Sequence, residues 1–217
     1  MTIDACIFDL DGVIVDTAKY HFIAWREIAK ELGFSFTEID NERLKGVSRM
    51  RSLDILLEIG DLTINNSLKT SLAAKKNEHY LTYIHKMLPD EILPGAIELL
   101  QDLKKNNVKT ALGSASKNAM TILNRLAITD LFDVIIDGNR VSNAKPNPEV
   151  FLKGAIELNI KPANCIVFED AEAGIEAALS AGMKCIGIGN EITLGKANMV
   201  VPGLKNLSYN SIYKSFK

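Results

Sequence analysis

Short apolar runs alternate with amphipathic segments along this chain, and that alternation restricts its fold more than any other feature. The runs, each ending in polar or glycine residues, are 3–10, 108–112, 134–136, 165–168 and 185–188. Segments with helical spacing lie between them, at 96–105, 119–126, 148–158 and 172–181. Strands that alternate with helices predict an α/β fold with a Rossmann-like parallel sheet and helices on both faces. Because the crossovers share one hand, the carboxyl ends of the strands gather at one edge, where such sheets bind ligands.

One stretch interrupts the alternation. From residue 17 to about 87 the spacing is helical without a convincing strand: Phe22, Trp25 and Leu32 share one helical face, and Gly33 would end that helix. Further helical patterns cover 53–60 and 68–87, and the sheet pattern resumes after 93–95. We therefore predict a core domain of residues 1–16 and 88–217, with a helical cap domain of residues 17–87 inserted after the first strand, above the ligand-binding edge.

Charge and cysteine content exclude several classes of partner. The 25 Lys and Arg residues against 27 Asp and Glu residues leave a net charge of −2, without the basic excess that a nucleic-acid backbone requires. Cys6, Cys165 and Cys185 lie in apolar runs without metal-type spacing, which favours free core thiols in a reducing compartment. No signal-peptide pattern and no run of 18 apolar residues is visible. We expect a cytoplasmic monomer that binds small molecules, neither nucleic acid nor membrane.

An acidic pair, Asp9 and Asp11, follows the first apolar run. Residues two apart in an extended segment point the same way, so the two carboxylates can converge. Such a pair suits a hard divalent cation, and one carboxylate could act as the nucleophile of phosphoryl transfer with the other as general acid and base. The alternative is a solvated turn, which an isolated motif of this length favours.

Polar residues also follow the other predicted strands. Residues 113–118 lead into a helix and form either an anion site or an ordinary helix cap. Lys145 follows the third strand, and Glu169 and Asp170 follow the fourth; taken singly, they could be a solvated lysine and acids that favour a helix start. Together, the four strand ends carry what metal-assisted transfer of a phosphoryl group to a carboxylate requires.

In the order and spacing of these motifs, the chain resembles the haloacid dehalogenase superfamily of phosphotransferases. The matching residues are 9–12, Ser114, 145–146 and 169–170 with 173–174, and the insert is similar to that superfamily's helical cap. The resemblance implies that Asp9 is the nucleophile and Asp11 the general acid and base. It implies a Mg²⁺ site made by Asp9, Glu169, Asp170 and the backbone carbonyl of Asp11. It also implies that Ser114 and Lys145 bind the transferring phosphate.

The cap narrows the resemblance to sugar-phosphate mutases of this superfamily, through residues 16–22, 24–25, 44–49, 74–77 and 114–118. It implies interconversion of β-D-glucose 1-phosphate and D-glucose 6-phosphate through an aspartyl phosphate, with β-glucose 1,6-bisphosphate as intermediate and activator. The substrate- and phosphate-binding residues implied in this way are His21, Trp25, Gly46, Val47, Ser48, Arg49, Ser52, Lys76, Ser114, Ala115, Ser116, Lys117, Asn118 and Lys145.

Residues 46–49, His21 and Lys76 carry the expectation of a mutase, although an isolated His21 would more often be a packing residue. Arg49 offers a planar fork for a second phosphate, and otherwise would be a solvated side chain. His21 and Lys76 would place Asp11 when the cap closes on substrate, an induced-fit route to sugar rather than water as acceptor. We expect Trp25 to pack, partly buried, beside the site. The segment 137–140 departs from the mutase pattern without a clear consequence for substrate.

Two other functions stay open at this point. A phosphatase that acts on a small sugar phosphate would use the same core residues, so the cap must discriminate between the two enzymes. A non-catalytic sugar-phosphate sensor with the same fold is the other alternative. The Asp9 and Asp11 pair argues against it, since a binding protein needs neither a nucleophile nor its acid.

Overall fold

Six parallel strands form one sheet in the order β3-β2-β1-β4-β5-β6. The computed structural model describes residues 2–217. Met1 lies outside the described residues; it is the first residue of the predicted core domain and of the segment considered for a signal peptide. The strands are β1 (Ala5–Phe8), β2 (Lys109–Gly113), β3 (Val134–Ile136), β4 (Cys165–Glu169), β5 (Lys184–Ile188) and β6 (Met199–Val201). The predicted parallel α/β sheet is thus confirmed, with a sixth strand that the sequence pattern did not indicate.

Helices cover both faces of this sheet and also form the insert. Those of the insert are α1 (Ala18–Glu31), α2 (Glu38–Glu42), α3 (Arg49–Ile59) and α4 (Asn66–Ile84). Those of the core are α5 (Ala96–Lys105), α6 (Ala119–Leu126), α7 (Glu149–Leu158), α8 (Glu172–Ser180), α9 (Glu191–Leu194) and α10 (Tyr209–Ser215). Within residues 2–217, none of the helices combines the length and apolar character needed to cross a bilayer.

The central strand β1 is buried on both faces, and its side chains alternate between two hydrophobic clusters. Cys6 and Phe8 join the cluster covered by α5, α6 and α10, whereas Ala5 and Ile7 join the cluster covered by α7 and α8. The Phe8 ring also stacks on Phe168 of the neighbouring β4, with ring centroids 4.4 Å apart. This packing fixes the ends of β1 and β4 side by side, and both predicted acidic pairs begin there.

The helices of the insert build a hydrophobic cluster of their own, which includes Trp25, Ile28, Phe36, Leu53 and Leu72. The glycine predicted to end the first of these helices does follow α1 and adopts a φ of +90°. Ala24, Tyr80 and Ile84 of the same helices instead join the cluster that Cys6 and Phe8 enter, so the insert also packs against the sheet domain. Because the insert has a cluster of its own as well, we keep 17–87 as the proposed bounds of the cap.

Two chain segments that run side by side connect cap and core. Val15 and Ile92 form an antiparallel bridge, and Leu93 N–H donates to the Ile14 carbonyl at 2.9 Å. Next to them, Asp16 N–H donates to the Glu91 carbonyl at 3.1 Å. The paired connections form a narrow hinge beside the carboxyl edge of the sheet.

Candidate active site

A cavity of about 560 Å³ lies between the carboxyl edge of the sheet and the cap, and residues from both line it. The predicted site residues that line it are Asp9, Asp11, His21, Trp25, Gly46, Val47, Ser48, Arg49, Ser52, Lys76, Ala115, Ser116, Lys117, Asn118 and Asp170. Three others lie buried and outside the lining of this cavity: Ser114, Lys145 and Glu169. The cavity is also lined by residues that the sequence did not single out as site residues, among them Thr17, Asn41, Lys45, Gly138 and Ser142.

Lys145 joins the ends of β1 and β4 through two buried ion pairs. Its Nζ lies 2.5 Å from Asp9 Oδ1 and 2.5 Å from Glu169 Oε1. Burial alone would lower the pKa of the ammonium, but the charges of Asp9 and Glu169 raise it, so Lys145 stays charged. The second Glu169 oxygen accepts the Ala171 N–H at 3.0 Å. Glu169 therefore holds Lys145 in place, and Lys145 orients the Asp9 carboxylate.

Asp11 is held at the hinge by the hydroxyl of Thr17, which donates to Asp11 Oδ1. Burial and the charge of Asp9 raise the pKa of Asp11 to about 6, although the Thr17 hydrogen bond opposes this shift. A carboxyl group that titrates close to neutral pH can both give and take a proton during turnover. The environment of Asp11 thus supports its predicted role as general acid and base.

The carboxylate of Asp170 lies against the turn that carries Asp9 and Asp11. A Cβ atom placed on Gly12 would fall 2.1 Å from Asp170 Oδ2, so only glycine allows this approach. Burial, followed by the charges of Glu169 and Asp9, raises the pKa of Asp170 well above its usual range. A divalent cation would relieve this repulsion, and oxygen atoms are the ligands that Mg²⁺ prefers.

The donors that fit Mg²⁺ do not all come from side chains. Within residues 2–217, no three His, Cys, Asp or Glu side chains come together as a ready metal-binding group. Glu169 is occupied by Lys145 and a backbone amide, so its assignment as a metal ligand stays a prediction. The other predicted donors for Mg²⁺ are Asp9, Asp170 and the Asp11 carbonyl that the family resemblance implies, and phosphate oxygens of the substrate would complete the set.

The cap contributes a basic group above the acidic edge. Lys76 Nζ lies 2.8 Å from His21 Nδ1, and also 4.9 Å and 4.5 Å from the ring centroids of Trp25 and Tyr80. Burial and the charge of Arg49 lower the pKa of Lys76 to about 7, and burial with the charge of Lys76 lowers the pKa of His21 well below its usual value. His21 is therefore neutral, and a charged Lys76, which can only donate, requires His21 Nδ1 to be the acceptor.

Arg49 begins α3 and is half-buried in the cavity wall. Ser48 precedes it as the helix cap, with its hydroxyl accepting the Arg51 N–H at 3.3 Å. Arg49 makes no ion pair within residues 2–217, whereas the nearby Arg51 pairs with Glu58 at 2.8 Å. Its guanidinium is thus available to an anion in the cavity. Trp25, expected to be partly buried, is fully buried in the cap cluster and still borders this cavity.

Core residues 114–118 form a loop of small and polar groups at the start of α6. Ser116 N–H donates to Ser114 Oγ at 3.1 Å, and Asn118 N–H donates to Ser116 Oγ at 3.2 Å. From behind, Gly138 N–H donates to the Ser116 carbonyl and Asn139 Nδ2 donates to the Lys117 carbonyl, at 3.1 Å and 2.9 Å. The segment 137–140, whose purpose the sequence did not reveal, therefore supports the loop.

Comparison with known proteins gives similarity over nearly the whole chain. Residues 3–182 match the model of the haloacid dehalogenase-like hydrolase family. The chain is 43% identical over 215 residues to the β-phosphoglucomutase of Bacillus subtilis, covering 98% of this chain and 95% of that protein. It is 36% identical over 197 residues to a phosphorylated carbohydrates phosphatase of Thermotoga maritima, covering 89% of each. The crystal structure of a β-phosphoglucomutase from Clostridium difficile matches with a TM-score of 0.94 and 47% identity, over 99% of this chain and 97% of that one.

Proposed function

The chain belongs to the haloacid dehalogenase-like hydrolase family, and from that premise we propose that it interconverts β-D-glucose 1-phosphate and D-glucose 6-phosphate as a Mg²⁺-dependent isomerase. The observation that carries this proposal is a cavity bordered by two sets of residues to which we assign anion binding. One set is Lys145 at Asp9, and the other consists of cap residue Arg49 and core residues 116–118. A mutase must hold a phosphate at each end of its sugar, whereas a phosphatase needs only the first set.

Asp9 carries the phosphoryl group between the two positions of the sugar. In the first half-reaction, the 6-hydroxyl of β-glucose 1-phosphate attacks phospho-Asp9; the bond from phosphorus to Asp9 breaks, and Asp11 takes the hydroxyl proton. The product, β-glucose 1,6-bisphosphate, then presents its other phosphate to Asp9. As the new bond from Asp9 to phosphorus forms, the bond to the sugar oxygen breaks, and Asp11 returns the proton to that oxygen. Glucose 6-phosphate leaves, and phospho-Asp9 is restored.

Charge at the reacting phosphate is balanced from two sides. Lys145 fixes one oxygen of Asp9 and neutralises part of its charge throughout the cycle. Mg²⁺, when bound, offsets negative charge on Asp9 and the transferring phosphoryl group. The buried hydroxyl of Ser114 belongs to the loop that shapes this end of the cavity.

The cap determines which acceptor reaches phospho-Asp9. Trp25, Lys76 and Arg49 line the cavity from the cap side, so a closed cap excludes bulk water from Asp11. A sugar phosphate that contacts both sides supplies binding energy for closure, whereas water does not. We assign His21 and Lys76 the task of coupling closure to the position of Asp11.

A phosphatase of small sugar phosphates is the second candidate. It is favoured by the 36% identity to the Thermotoga maritima protein whose name is phosphorylated carbohydrates phosphatase. The core residues suit either activity, because both begin with transfer to an aspartate. The second set of anion-binding groups is what makes the mutase the better-supported function.

The proposal also covers the oligomeric state, the cellular compartment and the partners of the enzyme. Cap and core of a single chain supply both halves of the site, so we expect a monomer to be active. All three cysteines are free and buried, as suits the reducing cytoplasm. The partners are small sugar phosphates, and neither nucleic acid nor a membrane is needed for this chemistry.

The test supplies the purified protein with Mg²⁺, β-glucose 1-phosphate and a trace of β-glucose 1,6-bisphosphate, and follows glucose 6-phosphate and free phosphate together. Rapid formation of glucose 6-phosphate with little free phosphate is expected. Release of one free phosphate per sugar without glucose 6-phosphate would replace the mutase by the phosphatase. A parallel sample with excess chelator should lose both products and recover them when Mg²⁺ is restored.

A further inference from the structure

A pair of side-chain amides joins cap and core where cap helix α4 packs beside core helix α6. Asn118 Nδ2, on the core, donates to Asn77 Oδ1, on cap helix α4, at 2.8 Å. Within residues 2–217, the other side-chain hydrogen bonds between cap and core join Thr17 to Asp11, Tyr20 to Glu91 and Arg125 to the Met87 carbonyl. Of these contacts, the Asn77–Asn118 pair is the one that reaches the loop 114–118.

The two amides have different relations to the cavity. Asn118 lines it and belongs to the loop assigned to the second phosphate, whereas Asn77 is half-buried and outside its lining. A carboxamide nitrogen carries two N–H groups. One N–H of Asn118 is used by Asn77, which fixes the plane of the amide and leaves the other N–H for a ligand. Asn77 thus acts on the cavity through Asn118.

Asn77 also adjoins Lys76 in the sequence, and both lie on α4. Lys76 contacts His21 in the group that we assign to the placement of Asp11. A ligand that orders Asn118 therefore stabilises the position of α4, and with it the position of Lys76. One helix in this way links occupancy of the second phosphate site to the acid–base group.

We propose that Asn77 is a positioning residue that makes cap closure depend on the second phosphate of the substrate. The inference rests on the proposed mutase function and adds to it the part of the cap that senses the bisphosphate. A sugar with a single phosphate at Asp9 leaves Asn118 unliganded and the cap less firmly closed. A sugar bisphosphate orders Asn118 against Asn77, so transfer to sugar gains over transfer to water.

The first experiment compares Asn77→Ala with Asn66→Ala, a matched deletion of an exposed amide on the same helix. For each variant, KM and kcat of mutase turnover are measured against β-glucose 1,6-bisphosphate, together with free phosphate release. We expect the KM for the bisphosphate to rise about 3- to 10-fold in Asn77→Ala, as loss of one hydrogen bond implies, with kcat less affected and more phosphate released per turnover. Asn66→Ala should behave as the unaltered chain. Asn77→Ser, which is too short to reach Asn118, replaces Asn77→Ala if thermal unfolding shows that alanine disturbs the fold.

The second experiment separates a positioning role from a merely structural one. If Asn77 acts through Asn118, then Asn77→Ala should add nothing to the rise in KM in an Asn118→Ala background. Independent, additive effects of the two substitutions would overturn the proposal, as would an unchanged KM in Asn77→Ala. Failure of the proposed function is recognised separately, because the unaltered chain would then release phosphate without forming glucose 6-phosphate.

Discussion

Lys76 is a buried cation with another cation, Arg49, as its neighbour, and the result is a pKa lowered to about 7. Its ammonium is charged below that pH and neutral above it, so attraction for an anionic substrate should fade as the pH rises. We expect kcat/KM for β-glucose 1-phosphate, which reports on the free enzyme, to fall above about pH 7. In Lys76→Met this alkaline decline should disappear, and kcat/KM should stay at one value that is lower than the maximum of the unaltered chain.

Lys75→Met is the control for this pH profile. Lys75 is the sequence neighbour of Lys76, but it pairs with Glu31 on the outside of the cap, at 2.6 Å. Its variant should retain the alkaline decline. If the decline persists in Lys76→Met as well, another group is responsible for it.

The same lysine should cost the fold stability. A depressed pKa means that the folded state holds the proton less tightly than the unfolded state. Below about pH 7 Lys76 is charged in both states, so folding buries the charge and the free energy of unfolding is lowered by the whole penalty. We expect Lys76→Met to raise the free energy of unfolding by about 1–3 kcal/mol at pH 6. This gain should shrink as the pH rises above 7, because the unaltered chain then loses the buried charge. Denaturant unfolding of both proteins at pH 6 and pH 9 measures it, and a gain that does not change with pH would contradict the argument.

At the scale of elements, the loop 114–118 depends on a segment that contributes no catalytic group. A Cβ atom on Gly138 would lie 2.3 Å from the Ala115 carbonyl oxygen, so Gly138→Ala must displace the loop. Displacement of about 1 Å at such a site can cost two orders of magnitude in rate, and we expect mutase kcat/KM to fall about 10- to 100-fold. Gly203→Ala is the control, since an added Cβ there meets no atom within 4 Å. Equal activity in the two alanine variants would show that the loop does not need this support.

The elements also show how far the sequence could predict this site. Motifs at strand ends were located correctly, because a parallel sheet brings those ends to one edge whatever the loops do. Strand β6 and the five-residue α2 were not predicted, although β3, which is as short as β6, was. Asn77 and Asn139 could not have been identified, because their roles come from contacts with residues 41 and 22 positions away in the chain. Nor does a sequence motif distinguish side chains that line the cavity from Lys145 and Glu169, which are buried beside it.

For the whole molecule, the proposed catalysis requires cap and core to meet around the substrate. One of their contacts lies where Gly46 of the cap approaches Ala171 of the core. A Cβ atom on Gly46 would lie 2.6 Å from Ala171 Cβ, so any larger residue must hold the cap away from the sheet. The Ala171 backbone is held by its N–H bond to Glu169, so we expect the cap, rather than the core residues around Asp9, to move.

Gly46→Ala should therefore separate transfer to sugar from transfer to water. We expect mutase turnover to fall at least about 10-fold, because the substrate can no longer close the cap, while Mg²⁺-dependent hydrolysis of acetyl phosphate at Asp9 persists. Gly46 has a φ of +70°, which alone strains an alanine, and Gly33 provides the matched control: its φ is +90°, but an added Cβ meets nothing within 4 Å. Gly33→Ala thus carries the same kind of backbone strain without the obstruction, and it should retain mutase activity. If both variants lose mutase activity to the same extent, backbone strain in the cap is the cause. If both retain it, mutase turnover does not depend on this close approach of cap and core.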